Sequence, residues 1–317
     1  HTPDRVVPNQ WFNDRLGEDV DTWLVENLTI RERRWCVDGE STADLVERCA
    51  GKLLEKAGMT APDLDLIIVA TDTPEYVSPS TASVVQDRLG ATGAGTFDVN
   101  TACAGFVTAL DMGAKYVRSD ERYTKVMVIG AYAMSRYLDL DDKKTVTLFA
   151  DGAAGVILKA HGGAEGWQAA RLHTEGQYAD WMGIYAGGSK TPVTRDVIDR
   201  GDHKLRFVKK FPKEINPTTW TRMVRETVAD AGFEVMDIGQ ILFTQININS
   251  IRETMNNLGL PWDRTHCVMD RYGYTGSACI PMCLAEAEAA GKIAPGDLVV
   301  FMGSGGGLAF ACAAFTW

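Results

Sequence analysis

From residue 41 onward the chain alternates two hydrophobic periods. Ser41 to Gly58 places apolar residues at helical spacing and predicts an amphipathic helix. Asp65 to Ala70 is an unbroken apolar run and predicts a buried strand. Thr81 to Gly90 then reads as helix, Gly95 to Val99 as strand, Cys103 to Ser119 as helix, and Lys125 to Gly130 and Gly155 to Leu158 as strands. Strands alternating with helices predict an α/β architecture with a largely parallel sheet.

The second half repeats this order. Gly58 corresponds to Gly232, Gly130 to Gly303 and Asp98 to Asp270, at offsets of 174, 173 and 172 residues. Each pair precedes or ends a similar apolar strand, such as Ile241-Leu242-Phe243 after Gly232. Agreement of order and spacing predicts two similar halves, 1–160 and 219–317. Residues 161–218 read as an irregular cap or insertion of the kind that forms lids and binding loops. Leu298 to Trp317 is free of charge for twenty residues, long enough for a membrane span. The Gly303 to Gly307 interruption instead predicts two buried strands joined by a glycine turn.

With 317 residues, 45% of them hydrophobic, the chain has ample material for a core. The net charge of −10 is the reverse of a nucleic-acid binder's basic excess. The basic run Arg206, Lys209, Lys210 and Lys213 reads as a solvated loop more than as a dock for an acidic carrier. Seven cysteines without a paired framework suit a reducing, cytoplasmic setting. The five histidines are scattered, so no metal site is expected. Cys279 and Cys283, one turn apart on an apolar segment, read as core, and Phe149 to Gly152 as a structural turn. The polar opening HTPDRVVPNQ contains no signal-peptide core.

The segment Phe97 to Phe106, FDVNTACAGF, carries the candidate chemistry. A strand ends, small residues follow and an apolar helix begins. Cys103 is therefore expected at a helix N-terminus, where unpaired N–H groups and the dipole favour a thiolate. Ala102, Ala104 and Gly105 leave room for a substrate. A nucleophilic cysteine needs these features, and a buried structural cysteine is the competing role.

In family order along nearly the whole chain, IRERR (30–34), DLIIVATDTPEYVSPSTAS (65–83), FDVNTACAGF (97–106), TLFADGAAGVIL (147–158), MDRYGYTGSA (269–278) and GDLVVFMGSGGG (296–307) resemble the β-ketoacyl-acyl-carrier-protein synthase III family of the thiolase-fold superfamily. The resemblance implies a duplicated, five-layered α-β-α-β-α body, a homodimer, and a first strand absent ahead of the polar opening. It implies that Cys103 is acylated by an acyl-coenzyme A or acyl-carrier-protein thioester, with no resident cofactor, and that the acyl group condenses with a malonyl thioester. Gly305, Gly306 and Gly307 match the glycine loop beside the oxyanion hole, and Trp23 matches a tryptophan near the coenzyme A adenine.

The resemblance also marks departures. The family's histidine, which ends the strand at Ile241 to Thr244, matches Gln245, with Asn247 as the alternative. The family's asparagine matches Tyr274. Glutamine and tyrosine still supply N–H and O–H donors, but neither is a base near neutral pH; His203 in the cap is a candidate substitute. Asn27 stands where many members carry an arginine near the nucleotide. Ser78 stands where a bulky residue from the dimer partner limits the acyl pocket, which implies a longer or branched acyl group. The expected activity is Claisen condensation through acyl-Cys103. The alternatives are acyl transfer to an oxygen or nitrogen nucleophile, or a non-catalytic partner subunit; thiolase-like cleavage fits less well, for want of a clear second-cysteine motif.

Overall fold

The computed structural model describes residues 1–163 and 165–317; Ala164, inside the expected cap segment, lies outside the described residues. Two four-stranded sheets form its frame. In the first, Gly95–Val99 pairs with Leu66–Ala70, Leu66–Ala70 with Lys125–Ala133, and Lys125–Ala133 with Asp151–Lys159. In the second, Ile238–Phe243 pairs with Leu298–Gly305, Leu298–Gly305 with Ala309–Thr316, and Ala309–Thr316 with Gly166–Thr174. The strands that the repeat relates, Leu66–Ala70 with Ile238–Phe243 and Lys125–Ala133 with Leu298–Gly305, form the same parallel pair in each sheet, although Leu66–Ala70 is interior and Ile238–Phe243 is an edge strand.

Helices Gly105–Ser119 and Cys279–Ala289 lie between the sheets, each touching strands of both. Thr42–Ala57 and Thr81–Leu89 cover the outer face of the first sheet, and Ile215–Asp230 covers the second, with Ile248–Leu258 packed on it. This is the expected five-layered duplication. The middle layer explains why Gly105–Ser119 buries residues on more than one face, from Phe106 through Asp111 to Ala114.

Local chemistry sets the element ends. Ser41 caps Thr42–Ala57 through a reciprocal box with Asp44, and Gly58 closes that helix in the left-handed conformation. The sheets are less parallel than the alternation predicts. Leu298–Gly305 and Ala309–Thr316 are joined by too short a turn for a crossover, so they pair antiparallel. The expected irregular segment 161–218 also contributes more than a cap. Gly166–Thr174 is the edge strand of the second sheet, and Ile215–Asp230 opens before 219. The stretch between them holds a two-residue ladder, Met182–Gly183 with Arg206–Phe207, and the short helix Arg195–Asp199. Among the described residues no helix is long and apolar enough to cross a membrane.

Two glycines give opposite expectations. A Cβ at Gly130 would collide with the Ser277 carbonyl, where the middle layer meets its strand. Gly51 has open space and lies inside Thr42–Ala57. Gly130→Ala is expected to lose about 1–3 kcal/mol by overpacking, and Gly51→Ala to gain roughly 0.5–1 kcal/mol from helix propensity. Denaturant titration of the two variants checks both signs.

Candidate active site

The nucleophile's turn is built by the residues just before it. Asn100 Oδ1 accepts the Ala102 N–H at 3.0 Å, and Ala102 takes a left-handed φ of 47°. A residue in that conformation cannot continue a right-handed helix. The helix therefore starts at Gly105, two residues later than expected, and Cys103 sits just ahead of its N-terminus. The N–H groups of Ala104 and Gly105 turn back onto Thr101 and Ala102 at 3.1 and 2.8 Å, closing the bend.

The glycine loop meets this turn from the other half of the molecule. A Cβ on Gly305 would collide with the Cys103 backbone nitrogen and lie 3.0 Å from the Ala104 nitrogen. Only glycine permits this approach. Gly306 and Gly307 line a cavity of about 230 Å³ together with Cys103, Asp72, Tyr132 and Met182. A larger cavity of about 650 Å³ is lined by Tyr274, Gly305 and Met182, and also by Trp23, Asn27 and Asn247. Met182 borders both; Cys103 lines the smaller, and Gly305, which lines the larger, lies against its backbone nitrogen. Trp23 is 55% exposed and marks the solvent end of the larger one.

Tyr274 stands beside the nucleophile, its hydroxyl close enough to act on the Cys103 sulfur as a donor. Its backbone is held on both sides: Tyr274 N–H donates to Leu148 O, and Ala150 N–H to Tyr274 O, each at 2.9 Å. Burial pushes the Tyr274 hydroxyl well above the usual phenol range, so it remains a donor. Burial, reinforced by the Asp72 carboxylate, pushes the Cys103 thiol up, while the hydrogen bond from Tyr274 acts in the opposite sense. The helix dipole also favours the thiolate.

Gln245 is corrected by the structure. Its side-chain nitrogen donates to Phe243 O at 3.0 Å and His266 O at 3.4 Å, and its Oε1 accepts the Val268 N–H at 3.0 Å. It is fully buried, lines neither cavity, and fastens the 266–268 loop to the strand end. The first residue after that strand is Thr244. Its hydroxyl accepts the Ser304 N–H at 2.8 Å and donates to Ser304 O at 3.2 Å, next to the glycine loop. A one-residue change of register, invisible before the strand end is known, separates the two.

The other expected residues divide. Asn247 caps Ile248–Leu258 through its Oδ1 and faces the larger cavity. Asn27 lines that cavity but donates its side-chain N–H to Trp23 O at 2.9 Å. Ser78 is exposed and lines a separate depression with Tyr76, Val77 and Asp98, away from Cys103 of the same chain. His203 lines neither cavity beside Cys103. In the basic run, Arg206 pairs with Asp202 and Lys209 with Asp180, whereas Lys210 and Lys213 are exposed at the larger cavity. That loop is therefore part of the site wall and not only solvated surface. Asp72, in the smaller cavity, was not singled out by sequence reading; its one signal was an acid directly after a buried strand. Among the described residues no group of three or more His, Cys, Asp or Glu is placed to hold a metal.

Residues 97–176 match the family model described as 3-oxoacyl-[acyl-carrier-protein (ACP)] synthase III, and 228–317 match the model of that enzyme's C-terminal part. The chain is 36% identical to acetoacetyl CoA synthase NphT7 of Streptomyces sp. (strain CL190), across 100% of this chain and 96% of that protein. It is 34% identical to the beta-ketoacyl-[acyl-carrier-protein] synthase III of Syntrophomonas wolfei, across 99% and 94%. The solved 3-oxoacyl-[acyl-carrier-protein] synthase III of Aquifex aeolicus VF5 superposes with a TM-score of 0.90 at 28% identity, covering 100% of this chain and 97% of that one.

The Tyr274 bond to sulfur has a measurable consequence. A donor to a thiolate lowers the thiol pKa, so Tyr274→Phe is expected to raise it further. At neutral pH, iodoacetamide alkylation of Cys103 should then slow by about tenfold, since a bond to a charged group contributes ~1.5–3 kcal/mol. The half-reaction point of the pH profile, read by peptide mass spectrometry with Cys103→Ala as control, should move upward. An unchanged profile would show that the hydroxyl does not act on the sulfur.

Proposed function

The chain belongs to the 3-oxoacyl-[acyl-carrier-protein] synthase III family, and we propose that it acts by condensing an acyl group with a malonyl-type thioester through acyl-Cys103. The observation that carries this reading is Cys103 lining the smaller cavity, with the glycine loop that also borders the larger one against its backbone and the Tyr274 hydroxyl beside its sulfur.

The larger cavity suits the thioester's carrier arm. Trp23 at its open end offers an aromatic face, and Lys210 and Lys213 offer positive charge to phosphate, whether the arm belongs to coenzyme A or to a carrier protein. The smaller cavity receives the acyl group. The Cys103 thiolate attacks the thioester carbonyl, and the oxyanion forms beside the Cys103 N–H and glycine loop. The carrier thiolate leaves and takes up the proton lost from Cys103. The malonyl thioester then loses carbon dioxide, and the electron pair of the broken C–C bond becomes its enolate. The enolate carbon bonds to the acyl carbonyl carbon as the C–S bond to Cys103 breaks.

The enolate oxygen needs a donor. Tyr274, at the position the family resemblance assigns to an asparagine, supplies an O–H toward this site. Its hydrogen is held by Cys103 sulfur in the resting enzyme and is released once that sulfur is acylated and a weaker acceptor. Among the described residues no histidine lines either cavity. That absence among the lining residues favours a second reading, in which an alcohol or amine attacks acyl-Cys103 instead of an enolate. Among the described residues the strand Gly95–Val99 is paired on one side only, which supports a homodimer joined along that edge.

Incubation with a panel of acyl-coenzyme A and acyl-carrier thioesters is expected to add an acyl mass that Cys103→Ala abolishes. Added malonyl thioester should discharge the adduct with release of carbon dioxide and a 3-oxoacyl product. Discharge only by alcohols or amines would establish the second reading. No adduct with any donor would identify a non-catalytic partner subunit. Lys210→Glu with Lys213→Glu should raise KM for the donor about tenfold or more, from two reversed charges at the cavity, and leave iodoacetamide alkylation of Cys103 unchanged.

A further inference from the structure

Asp72 is an unexpected group to find beside a thioester's acyl chain. It follows the fully buried strand Leu66–Ala70 and lines the 230 Å³ cavity that contains Cys103. Its Oδ1 is shielded from solvent and has no hydrogen-bond partner. Burial raises its pKa to about 6, with its own backbone N–H acting in the opposite sense, so at neutral pH it is chiefly a carboxylate whose Oδ1 remains without a donor.

The carboxylate is held in position by its neighbours. The Thr71 N–H donates to Val99 O at 3.0 Å. The Thr71 hydroxyl accepts the Thr73 N–H at 3.0 Å, and the Thr73 hydroxyl accepts the Ala133 N–H at 2.9 Å. Thr42 donates to Thr73 O at 2.5 Å. Thr71 and Thr73 are 2% and 1% exposed. Asp72 therefore projects from a clamped segment, half-buried itself, with its Oδ1 shielded from water.

If a purely hydrocarbon acyl group filled this cavity, it would expel water and leave the carboxylate without a partner. Leaving a buried charged acceptor unpaired costs more than the 1–3 kcal/mol typical of neutral groups. Asp72 lines only the smaller cavity, whereas Tyr274 lines only the larger one. Its carboxylate thus faces the acyl group and not the incoming acceptor, which separates it from the task of a missing histidine.

We propose that the smaller cavity selects an acyl group carrying a hydrogen-bond donor, a hydroxyl or a protonated nitrogen, and that Asp72 is the specificity-determining residue that receives it. This rests on the acyl-Cys103 reading above and names its substrate class. The volume admits a short functionalised chain or a substituted ring, since a cavity of roughly 150 Å³ already holds benzene. The Tyr132 hydroxyl lines the same space and offers a second polar contact. Binding a donor at Asp72 also screens the charge that disfavours the Cys103 thiolate, so the correct acyl group would assist its own transfer.

The test compares matched coenzyme A thioesters on the full chain: butanoyl with 3-hydroxybutanoyl, benzoyl with 3-hydroxybenzoyl, and hexanoyl with 6-aminohexanoyl. Time-resolved intact mass spectrometry reads acylation of Cys103. In at least one pair the donor-bearing member is expected to acylate on the order of 100-fold faster or more, because sites built for a donor reject analogues without it. Asp72→Leu should reverse that preference. Asp72→Asn should keep the hydroxyacyl preference through its amide oxygen and lose any preference for the ammonium, which tells the two donors apart. Iodoacetamide alkylation of Cys103 in each variant reports that the site still forms. Acylation of the wild type within threefold for every pair, or an Asp72→Leu variant with the wild-type ratio, would overturn the proposal while leaving acyl-Cys103 standing. Absence of any adduct would remove both.

Discussion

The close approach of the Gly303 to Gly307 strand end to the Cys103 turn is the constraint on which the site depends. The two segments belong to different halves of the duplication, one following Gly95–Val99 and one ending Leu298–Gly305. They meet because helix Gly105–Ser119 is shared between the sheets and carries the turn at its N-terminal end. Without a side chain at Gly305, backbone can lie against backbone, and the Cys103 nitrogen sits against the glycine loop. Each half alone would present an incomplete wall.

Burial imposes the second constraint. Cys103 is 2% exposed, and removal from water raises its thiol pKa. Three opposing influences act on the same sulfur: the helix terminus, the Tyr274 hydroxyl, and any neutralisation of Asp72 by a bound acyl group. On the proposal above, a bound acyl group that neutralises Asp72 would favour the thiolate of the thiol that burial holds protonated. Tyr274 is well suited to this arrangement, since it remains protonated where a histidine would titrate.

The two cavities divide recognition between them. Lys210, Lys213 and Trp23 line the larger cavity, where the proposed carrier arm would lie, while Asp72 and Tyr132 line the smaller one, where the proposed acyl group would lie. The cap segment closes over both through Met182, which lies on the short ladder Met182–Gly183 with Arg206–Phe207. A stretch that reads as irregular in sequence thus supplies a wall to each cavity, because its few regular pairs are too short to leave a hydrophobic period.

Much of the architecture was legible in the chain itself. Strong apolar periods with Ser41, Gly58 and Gly90 as punctuation defined the main helices and strands, and the repeated spacing revealed the duplication, because period and turn chemistry are local properties. Cys103 and Gly305 to Gly307 were readable for the same reason, as a small-residue turn and a glycine run. Gly166–Thr174 was not, since its alternation is weak and it is a strand only by pairing with Ala309–Thr316. Gln245 and Thr244 could not be told apart in sequence, because one residue of register at a strand end decides which side chain is spent on the 266–268 backbone and which reaches Ser304. Asp72 shows the same limit. Its identity is plain in the chain, but only the tertiary fold places its unpartnered oxygen in a cavity beside the nucleophile, and it is burial of that oxygen, a property of the whole structure, that turns an ordinary acid into a group requiring a partner.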